Sequence, residues 1–507
     1  MVLISRRAFV AGSLALSFVH FGPAMAQDVT NLRIGLSVYP ANMEPWSNPG
    51  NAAGLAIQLI HRGLLSFDID GSLRGEIAES WEGVDGDWIF HLREAAFSDG
   101  TPITAADVKW NLERVMAPDS TAYMSAQFRV ISAIETPDDR TVVLRLKQPT
   151  VNVPQWLATF YMPIVKPGTE ADGPDVVGAG PFVLVEAERG VSMRFESSPH
   201  YYKDGLPKLS SIDLIAYVDE NLRMAALETG DVDLVDFVPP QAMNEVEQNG
   251  KLSLASTDGP FMYLTFNATS GPFADPRVRQ AVAFAVKRED VVQSALFGRG
   301  APLTGMPLPP SSPFYDETRA NFWQRDLDRA RALLAEAGYA DGFECTMLSI
   351  GSQFRMHEST AIVVQQALSE IGIKVNLNLT DLATRVSLGN EGQYDLSVAG
   401  SALESNDPDS LAALIDSSLS PSYVRSPGIE IPGLQDLLER GRAEYDLEKR
   451  KAIYAEVEDL ALAYTPFVGL AWRAQAYAMN AALEGFTNID GALTFHSGVT
   501  LETTSLS

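Results

Sequence analysis

The chain has 507 residues, and its 65 acidic side chains outnumber its 38 lysines and arginines, so the formal net charge at pH 7 is −27. A negative field of this size repels nucleic-acid phosphates and anionic lipid headgroups, which argues against a nucleic-acid function. Cys345 is the only cysteine, which excludes an internal disulfide and a metal site built from several cysteines.

The N-terminal residues predict an export signal. Arg6 and Arg7 form a twin-arginine pair, residues 8–19 are apolar, and Ala24-Met25-Ala26 has the small-x-small pattern of a cleavage site. We therefore expect a twin-arginine signal peptide over residues 1–26, cleaved after Ala26. No cysteine stands at that site and no later stretch is apolar enough to span a bilayer, so we expect a periplasmic protein without a lipid anchor.

The rest of the chain alternates between helix-like and strand-like patterns, which predicts an α/β fold of more than one domain. The clearest unit begins at Asp326, a suitable helix N-cap, and continues with apolar residues at helical spacing until Gly338 ends the helix. A second helix is predicted over residues 360–371, ending at Gly372. It leads into an alternating strand over residues 373–379.

Short motifs follow one another along the chain in a fixed order. Residues 63–115 contain, in sequence, GLL, DIDG, ESW, FSDGTP and AADV. Later motifs are GAGPF at 178–182, PHYY at 199–202, ALETGDVD at 226–233, YLTFN at 263–267 and YDLSVAG at 394–400. Together they resemble the dipeptide/oligopeptide family of extracytoplasmic solute-binding proteins, family 5, over essentially the whole chain. Members of that family deliver ligands to ATP-driven importers.

The resemblance implies a particular architecture. It is the two-lobed periplasmic-binding-protein fold, type II, of the large "cluster C" type, with an extra subdomain inserted in lobe one. Lobe I would comprise residues 27–62, 178–264 and 473–507, the inserted subdomain residues 63–177, and lobe II residues 265–472. Such lobes rotate about a few hinge residues and close on a ligand. The resemblance further implies a monomer without a cofactor that serves an inner-membrane ABC permease and catalyses no reaction.

The segment from Gly400 to Asp409 gives the most specific prediction about the ligand. Peptide-binding relatives carry G-W-x-x-D-x-x-D-P-D here, and the first acid of that pattern holds the ligand's ammonium group. This chain has Glu404 at that acid and Ser401 in place of the tryptophan. A longer acid and a lost aromatic wall leave room for a sugar-like or branched ligand.

Further ligand contacts are expected from other segments. Arg355 lies near the position of a carboxylate-binding arginine in relatives, and Arg385 is an alternative on the same lobe, because a guanidinium fork suits a carboxylate. The remaining candidates are Asn42 and Trp46 after the first strand, Phe261 and Asn267 near the crossover between lobes, and Asp407, which is also suited to cap the helix that follows it.

Several functions remain open at this point. The default is capture of a di- or oligopeptide, and the alternative is a sugar–amino-acid conjugate (an opine) or another glycosidic solute. A nickel-chelate binder and a periplasmic hydrolase are more remote hypotheses. The histidines are not spaced as metal ligands, which argues against the first, and no G-x-S-x-G elbow is present, which argues against the second. A ligand sensor or chaperone that serves no permease is a further class, which a neighbouring permease gene pair would argue against.

Overall fold

The computed structural model describes residues 30–506 except residues 41, 48–49 and 170–174. The predicted export signal lies outside the described residues. Within them, helices and strands alternate along the chain as expected for an α/β protein. No described helix is both long and apolar enough to cross a membrane.

The strands are mostly short, and most of them carry buried residues. In chain order they are β1 (Asn31–Leu36), β2 (Leu65–Phe67), β3 (Leu73–Gly75), β4 (Ala78–Val84), β5 (Asp87–Leu92), β6 (Ile131–Asp138), β7 (Thr141–Leu146), β8 (Phe182–Glu188), β9 (Ser192–Ser197), β10 (Ser211–Ala216), β11 (Leu234–Val235), β12 (Leu252–Phe266), β13 (Gly300–Pro302), β14 (Phe343–Ile350), β15 (Ile373–Thr380), β16 (Leu396–Ser401), β17 (Phe467–Asn480), β18 (Leu483–Glu484) and β19 (Ser505–Leu506). Two of them, β12 and β17, are much longer than the rest.

The helices lie between these strands along the chain, and most of them bury part of their surface. In chain order they are α1 (Asn51–Ile60), α2 (Ala105–Met116), α3 (Ser125–Phe128), α4 (Val153–Leu157), α5 (Glu220–Thr229), α6 (Met243–Gln248), α7 (Pro276–Ala285), α8 (Arg288–Ala295), α9 (Glu317–Ala320), α10 (Leu327–Glu336), α11 (Arg355–Ser369), α12 (Leu382–Asn390), α13 (Ala412–Ile415), α14 (Leu434–Ala443) and α15 (Leu447–Tyr464). Short 3₁₀ helices cover Pro240–Ala242, Pro272–Ala274, Ser352–Phe354, Pro408–Leu411 and Gly491–Thr503.

One large sheet joins the two halves of the molecule. Its strand order is β15-β14-β16-β12-β17-β11-β1-β10-β9-β8, with β13 added to β17. The long strands β12 and β17 pair antiparallel from Leu252 opposite Asn480 to Thr265 opposite Phe467. One end of this pair joins β11 and the other joins β16, so β12 and β17 carry the chain between lobe I (β1, β8–β11) and lobe II (β14–β16).

The pairing of β12 with β17 is irregular between Asp258 and Phe261. Gly259 lies in this irregularity, and a Cβ atom placed on it would lie 2.2 Å from the carbonyl carbon of Gly491. Only glycine therefore fits where the crossing strand passes the start of the C-terminal 3₁₀ helix. The register of the two crossing strands shifts at this point.

A separate four-stranded antiparallel sheet, in the order β4-β5-β7-β6, follows α1. Its strands enclose a core with α2 that includes Phe90, Phe97 and Leu112. Helix α2 begins with a capping box, in which the Thr104 backbone N–H donates to the Asp107 carboxylate at 2.8 Å. This sheet lies within residues 63–177. The numerical limits given above for the lobes and the subdomain remain predictions.

The local predictions around Asp326 can be compared directly with the structure. Helix α10 begins after Asp326, whose carboxylate accepts from the Arg329 N–H at 2.9 Å, and Gly338 ends it at φ 89°, so this prediction is confirmed. The second predicted helix is present, but α11 starts at Arg355, five residues earlier than expected. The alternation expected in residues 373–379 is present at the start of β15, where Ile373 and Val375 are buried.

A buried cluster of charges fastens the C-terminal segment to the inserted subdomain. Glu76 is fully buried and accepts from Arg74 at 2.7 Å and from Lys203 at 2.8 Å. Glu502 pairs with Arg62 at 2.9 Å and with Lys203 at 2.9 Å. The three cations hold the pKa of Glu76 below its ordinary value despite its burial, so the carboxylate is charged at neutral pH.

Candidate functional site

A cavity of about 180 Å³ lies between the two lobes, beside the crossing strands. Its wall combines Tyr123 and Tyr161 of the inserted subdomain with Phe237 of lobe I, and with His357 and Tyr423 of lobe II. An engineered cavity of roughly 150 Å³ is enough to take up benzene. The space suits a small solute more than an extended peptide of many residues.

Aromatic rings form much of the cavity wall. Tyr123 and Tyr161 lie 4.8 Å apart between ring centroids. Phe237 lies 5.8 Å from Phe354 of lobe II and 6.3 Å from Phe495. Phe237 has a φ of 45°, a backbone conformation that costs a side-chain-bearing residue free energy and is often found at ligand sites. Faces of this kind suit apolar or planar parts of a ligand.

The acid in this wall is Glu404, in the loop after β16. Tyr123 donates a hydrogen bond to the Glu404 carboxylate, so this contact joins the inserted subdomain to lobe II. Burial raises the pKa of Glu404, and the Tyr123 hydrogen bond only partly opposes that effect. A cationic group in the cavity would favour the charged carboxylate, because opposite charges attract strongly where water is excluded.

Two arginines line the same cavity. Arg385 of α12 is 3% exposed and donates to the Val398 carbonyl at 3.1 Å, while Arg473 of β17 is 4% exposed and donates to Gln475 Oε1 at 2.6 Å. The Nε atoms of both arginines are buried without a hydrogen-bond partner. Burial lowers the pKa of Arg473 to about 10, so it remains a cation at neutral pH.

Two histidines complete the polar wall. Burial, assisted by the charges of Arg385 and Arg473, lowers the pKa of His357 to about 3. Burial lowers the pKa of His496 to about 4. Both imidazoles are therefore neutral at physiological pH and can donate or accept hydrogen bonds. The described residues contain no group of three or more His, Cys, Asp or Glu that could hold a metal ion.

The structure brings three of the sequence candidates to the cavity: Glu404, Ser401 and Arg385. Ser401 ends β16, opposite Phe261 of β12, and its hydroxyl donates to the Ala402 carbonyl at 3.1 Å. The small side chain leaves this part of the wall open.

Arg355 and Asn42 lie elsewhere. Arg355 is exposed at the start of α11, because the helix begins there and directs this residue to the surface near Glu220. Asn42 is exposed as well, and its side-chain oxygen accepts from the Glu44 N–H at 2.7 Å in a local turn. Neither residue lines the cavity.

Four further candidates have structural partners away from the cavity. Trp46 is buried and donates from Nε1 to the Pro163 carbonyl at 3.2 Å. Phe261 is fully buried in the lobe II core, and Asn267 donates to the Gly392 carbonyl at 2.8 Å. Asp407 caps the 3₁₀ helix Pro408–Leu411 and pairs with Arg450 at 2.6 Å, so it serves the capping role that was expected as its alternative.

The sequence reasoning missed several wall residues, among them Tyr123, Phe237, His357 and Arg473. Arg473 had a detectable signal, because it interrupts an otherwise apolar stretch in the crossing strand. The others lie in segments whose positions depend on how the lobes meet. Nothing in their local sequence distinguishes them from ordinary core residues.

Residues 72–422 match the family model of the bacterial extracellular solute-binding proteins, family 5 Middle. The glutathione-binding protein GsiB of Pectobacterium atrosepticum is 28% identical and covers 96% of this chain and 96% of its own. The corresponding GsiB of Escherichia coli K12 is 27% identical, with coverage of 95% and 96%.

Solved structures are similar over nearly the whole chain. The binding protein AgaA from A. tumefaciens R10, in complex with agropinic acid, has a TM-score of 0.90 and 38% identity and covers 94% of this chain and 99% of its own. The murein tripeptide binding protein MppA of Escherichia coli has a TM-score of 0.84 at 20% identity, with coverage of 94% and 99%. These similarities confirm the fold expected from the sequence.

Proposed function

The chain belongs to the bacterial extracellular solute-binding proteins of family 5, and from this premise we propose that it captures a small solute bearing amine and carboxylate groups for an ABC importer. The observation that carries the proposal is the cavity between the lobes. Its wall holds one acid, Glu404, and two buried arginines, Arg385 and Arg473. An ammonium group on the acid and a carboxylate on an arginine would each satisfy a charge that is otherwise poorly compensated.

A short peptide or peptide-like conjugate is the first candidate for the ligand. Relatives that cover 95–96% of this chain are glutathione-binding proteins, and glutathione carries an amine and carboxylates. The cavity of about 180 Å³ is far too small for a long oligopeptide, which leaves shorter ligands as the candidates.

An opine is the second candidate, and two observations favour it. A structure 38% identical to this chain holds agropinic acid. Ser401, where peptide-binding relatives are expected to have tryptophan, leaves the wall open beside Glu404. A branched or sugar-like group would fit better there than against an aromatic ring.

Delivery to a permease requires that ligand change the shape of the protein. Contacts between the lobes include the Tyr123–Glu404 hydrogen bond and the Val151 N–H donating to the Arg442 carbonyl at 2.9 Å. A ligand that contacts both lobes stabilises the closed form by its additional affinity for that form. We propose that the protein acts in the periplasm as a monomer, and that an inner-membrane permease binds the closed form.

We expect the radius of gyration of the purified protein to decrease when it is saturated with its ligand. The measurement is small-angle X-ray scattering with glutathione, a set of dipeptides and agropinic acid, each first tested for binding by calorimetry. Glucose serves as a control solute without amine or carboxylate groups. A radius that stays unchanged at saturation would contradict closure, and failure of every amine- and carboxylate-bearing solute to bind would contradict the proposed function.

A further inference from the structure

Buried arginines elsewhere in lobe II bind backbone carbonyl groups. Arg288 is 2% exposed, and it donates to the carbonyls of Leu303, Gly469 and Trp323 at 2.7–2.8 Å. Arg279 likewise donates to the Phe273 carbonyl at 2.7 Å. These side chains connect loops and strands, and their positions are explained by the fold alone.

Arg473 makes fewer hydrogen bonds than Arg288, although one nitrogen of Arg288, Nη2, is also buried without a partner. Its single hydrogen bond within the described residues is the one to Gln475 Oε1 at 2.6 Å, and its Nε is buried without a partner. Its guanidinium carbon lies 5.5 Å from the centroid of Phe237, a ring of the cavity wall. No carboxylate of the described residues forms an ion pair with Arg473. A buried guanidinium with five donors and so few acceptors is poorly compensated.

Arg385 is in a similar situation on the lobe II side of the cavity. Its Nη2 donates to the Val398 carbonyl at 3.1 Å and to Ser397 Oγ at 3.3 Å, and its Nε is buried without a partner. The guanidinium carbon lies 5.0 Å from the centroid of Tyr423. No described carboxylate forms an ion pair with this arginine either.

The region between the two arginines is positively charged. His357 lies near both guanidinium groups, whose charges help to lower its pKa to about 3, and its Nδ1 is buried without a partner. The acid of the cavity wall, Glu404, already accepts a hydrogen bond from Tyr123. The wall therefore contributes two cations and one acid to a ligand.

The two cations reach the cavity from different elements, Arg385 from helix α12 and Arg473 from strand β17. Arg385 bonds to β16 at Ser397 and Val398, and Arg473 belongs to β17, with β12 between them. Because both arginines line the cavity and each belongs to a different element, two acidic groups on one ligand can be bound separately, one by each guanidinium fork.

We propose that Arg385 and Arg473 bind two separate acidic groups of one ligand, which makes the preferred solute an amino-acid conjugate with two carboxylates and no more than one ammonium group. The identification of the ligand as an amino-acid conjugate rests on the proposed function. The existence of a two-arginine anion site does not depend on it. Arg473 is then the residue that determines specificity for the second acid.

The test compares ligands that differ only in their second acid. Calorimetry would measure alanyl-glutamate against alanyl-glutamine, and N-(1-deoxymannityl)-glutamate against N-(1-deoxymannityl)-glutamine. We expect the acid of a pair to bind at least tenfold more tightly than its amide, because the amide leaves a buried cation unpaired. Equal binding of acid and amide to the wild-type protein would overturn the proposal.

The variants Arg473→Gln and Arg385→Gln assign the two groups. Arg473→Gln should abolish the preference for the acid, and Arg385→Gln should weaken acid and amide alike, because both members of a pair share the α-carboxylate. Arg473→Lys keeps the charge without the fork and should retain part of the preference. Arg440→Gln, at an exposed arginine of α14, should change neither affinity. A preference that survives in both glutamine variants would overturn the proposal.

A simpler probe separates this inference from the proposed function. Glutarate and neutral glutaramide would be compared by thermal unfolding at constant ionic strength. Glutarate should raise the melting temperature of the wild-type protein and glutaramide should not, and Arg473→Gln should remove the shift caused by glutarate. If neither conjugate pair binds, the proposed function fails, and the glutarate experiment then tests the two-arginine anion site by itself. An absent shift in melting temperature with glutarate would overturn that anion site.

Discussion

Replacing Glu404 with glutamine is expected to weaken binding of an amine-bearing ligand by about 2–5 kcal/mol, because the ligand's ammonium group would be desolvated without an opposite charge. The change is nearly isosteric, and a glutamine oxygen can still accept the hydrogen bond that Tyr123 donates to this side chain. The loss should therefore reflect the charge and not the collapse of the wall. Calorimetry with glutathione or a bound dipeptide is the measurement.

Two controls separate charge from packing in this experiment. Tyr123→Phe removes the hydroxyl that contacts Glu404 and leaves the carboxylate in place, so its effect should be smaller. Glu430→Gln, at an exposed acid of lobe II, should leave the dissociation constant unchanged. An unchanged dissociation constant in the Glu404→Gln variant would remove this residue from the ligand site.

Replacing Glu76 with glutamine is expected to lower the free energy of unfolding at pH 7 by about 3–5 kcal/mol, because loss of a buried charge leaves its partners uncompensated. Arg62, Arg74 and Lys203 would then share Glu502 as the one remaining acid that pairs with them in the described part of the chain. Urea unfolding followed by circular dichroism measures the difference. Glu79→Gln, at an exposed acid three residues later, is the matched control and should unfold like the wild-type protein.

The pH dependence provides a second check on the same carboxylate. Its pKa in the folded protein lies below the ordinary value of 4.5, so the stability it contributes is present above pH 4.5 and is lost as the pH falls. Glutamine cannot titrate, and the difference between the two proteins should therefore shrink in acid. A difference that stays constant from pH 7 to pH 3 would show that the charge of Glu76 does not stabilise the fold.

Local sequence signals predicted the parts of the fold that depend on nearby residues. Asp326 and Gly338 delimit α10 because an acidic N-cap and a left-handed glycine act within one turn of the helix. The start of α11 was missed because Arg355 carries no capping signal, and the preceding 3₁₀ turn fixes that end of the helix. The family resemblance supplied the long-range topology, which local patterns could not.

Residues of the candidate site could be predicted from the sequence only where several of them lie in one short segment. Ser401 and Glu404 follow a predicted strand, and both line the cavity. Tyr123 is separated from Glu404 by 281 positions, and the two meet because the inserted subdomain contacts lobe II. Trp46 was expected near the ligand, but its indole is buried against Trp110 in the subdomain core. Contacts of this kind depend on the arrangement of the lobes.

The most direct test of the central claim is native mass spectrometry of the gently purified protein, followed by denaturation to release and identify any bound molecule. We expect a single small adduct that carries an amine and at least one carboxylate, and two carboxylates if both arginines bind the ligand. A peptide of glutathione size would support the first candidate, and a sugar–amino-acid conjugate the second. A bound molecule without these groups would contradict the proposed function, as would an empty protein that binds none of the peptides, glutathione or opines offered to it.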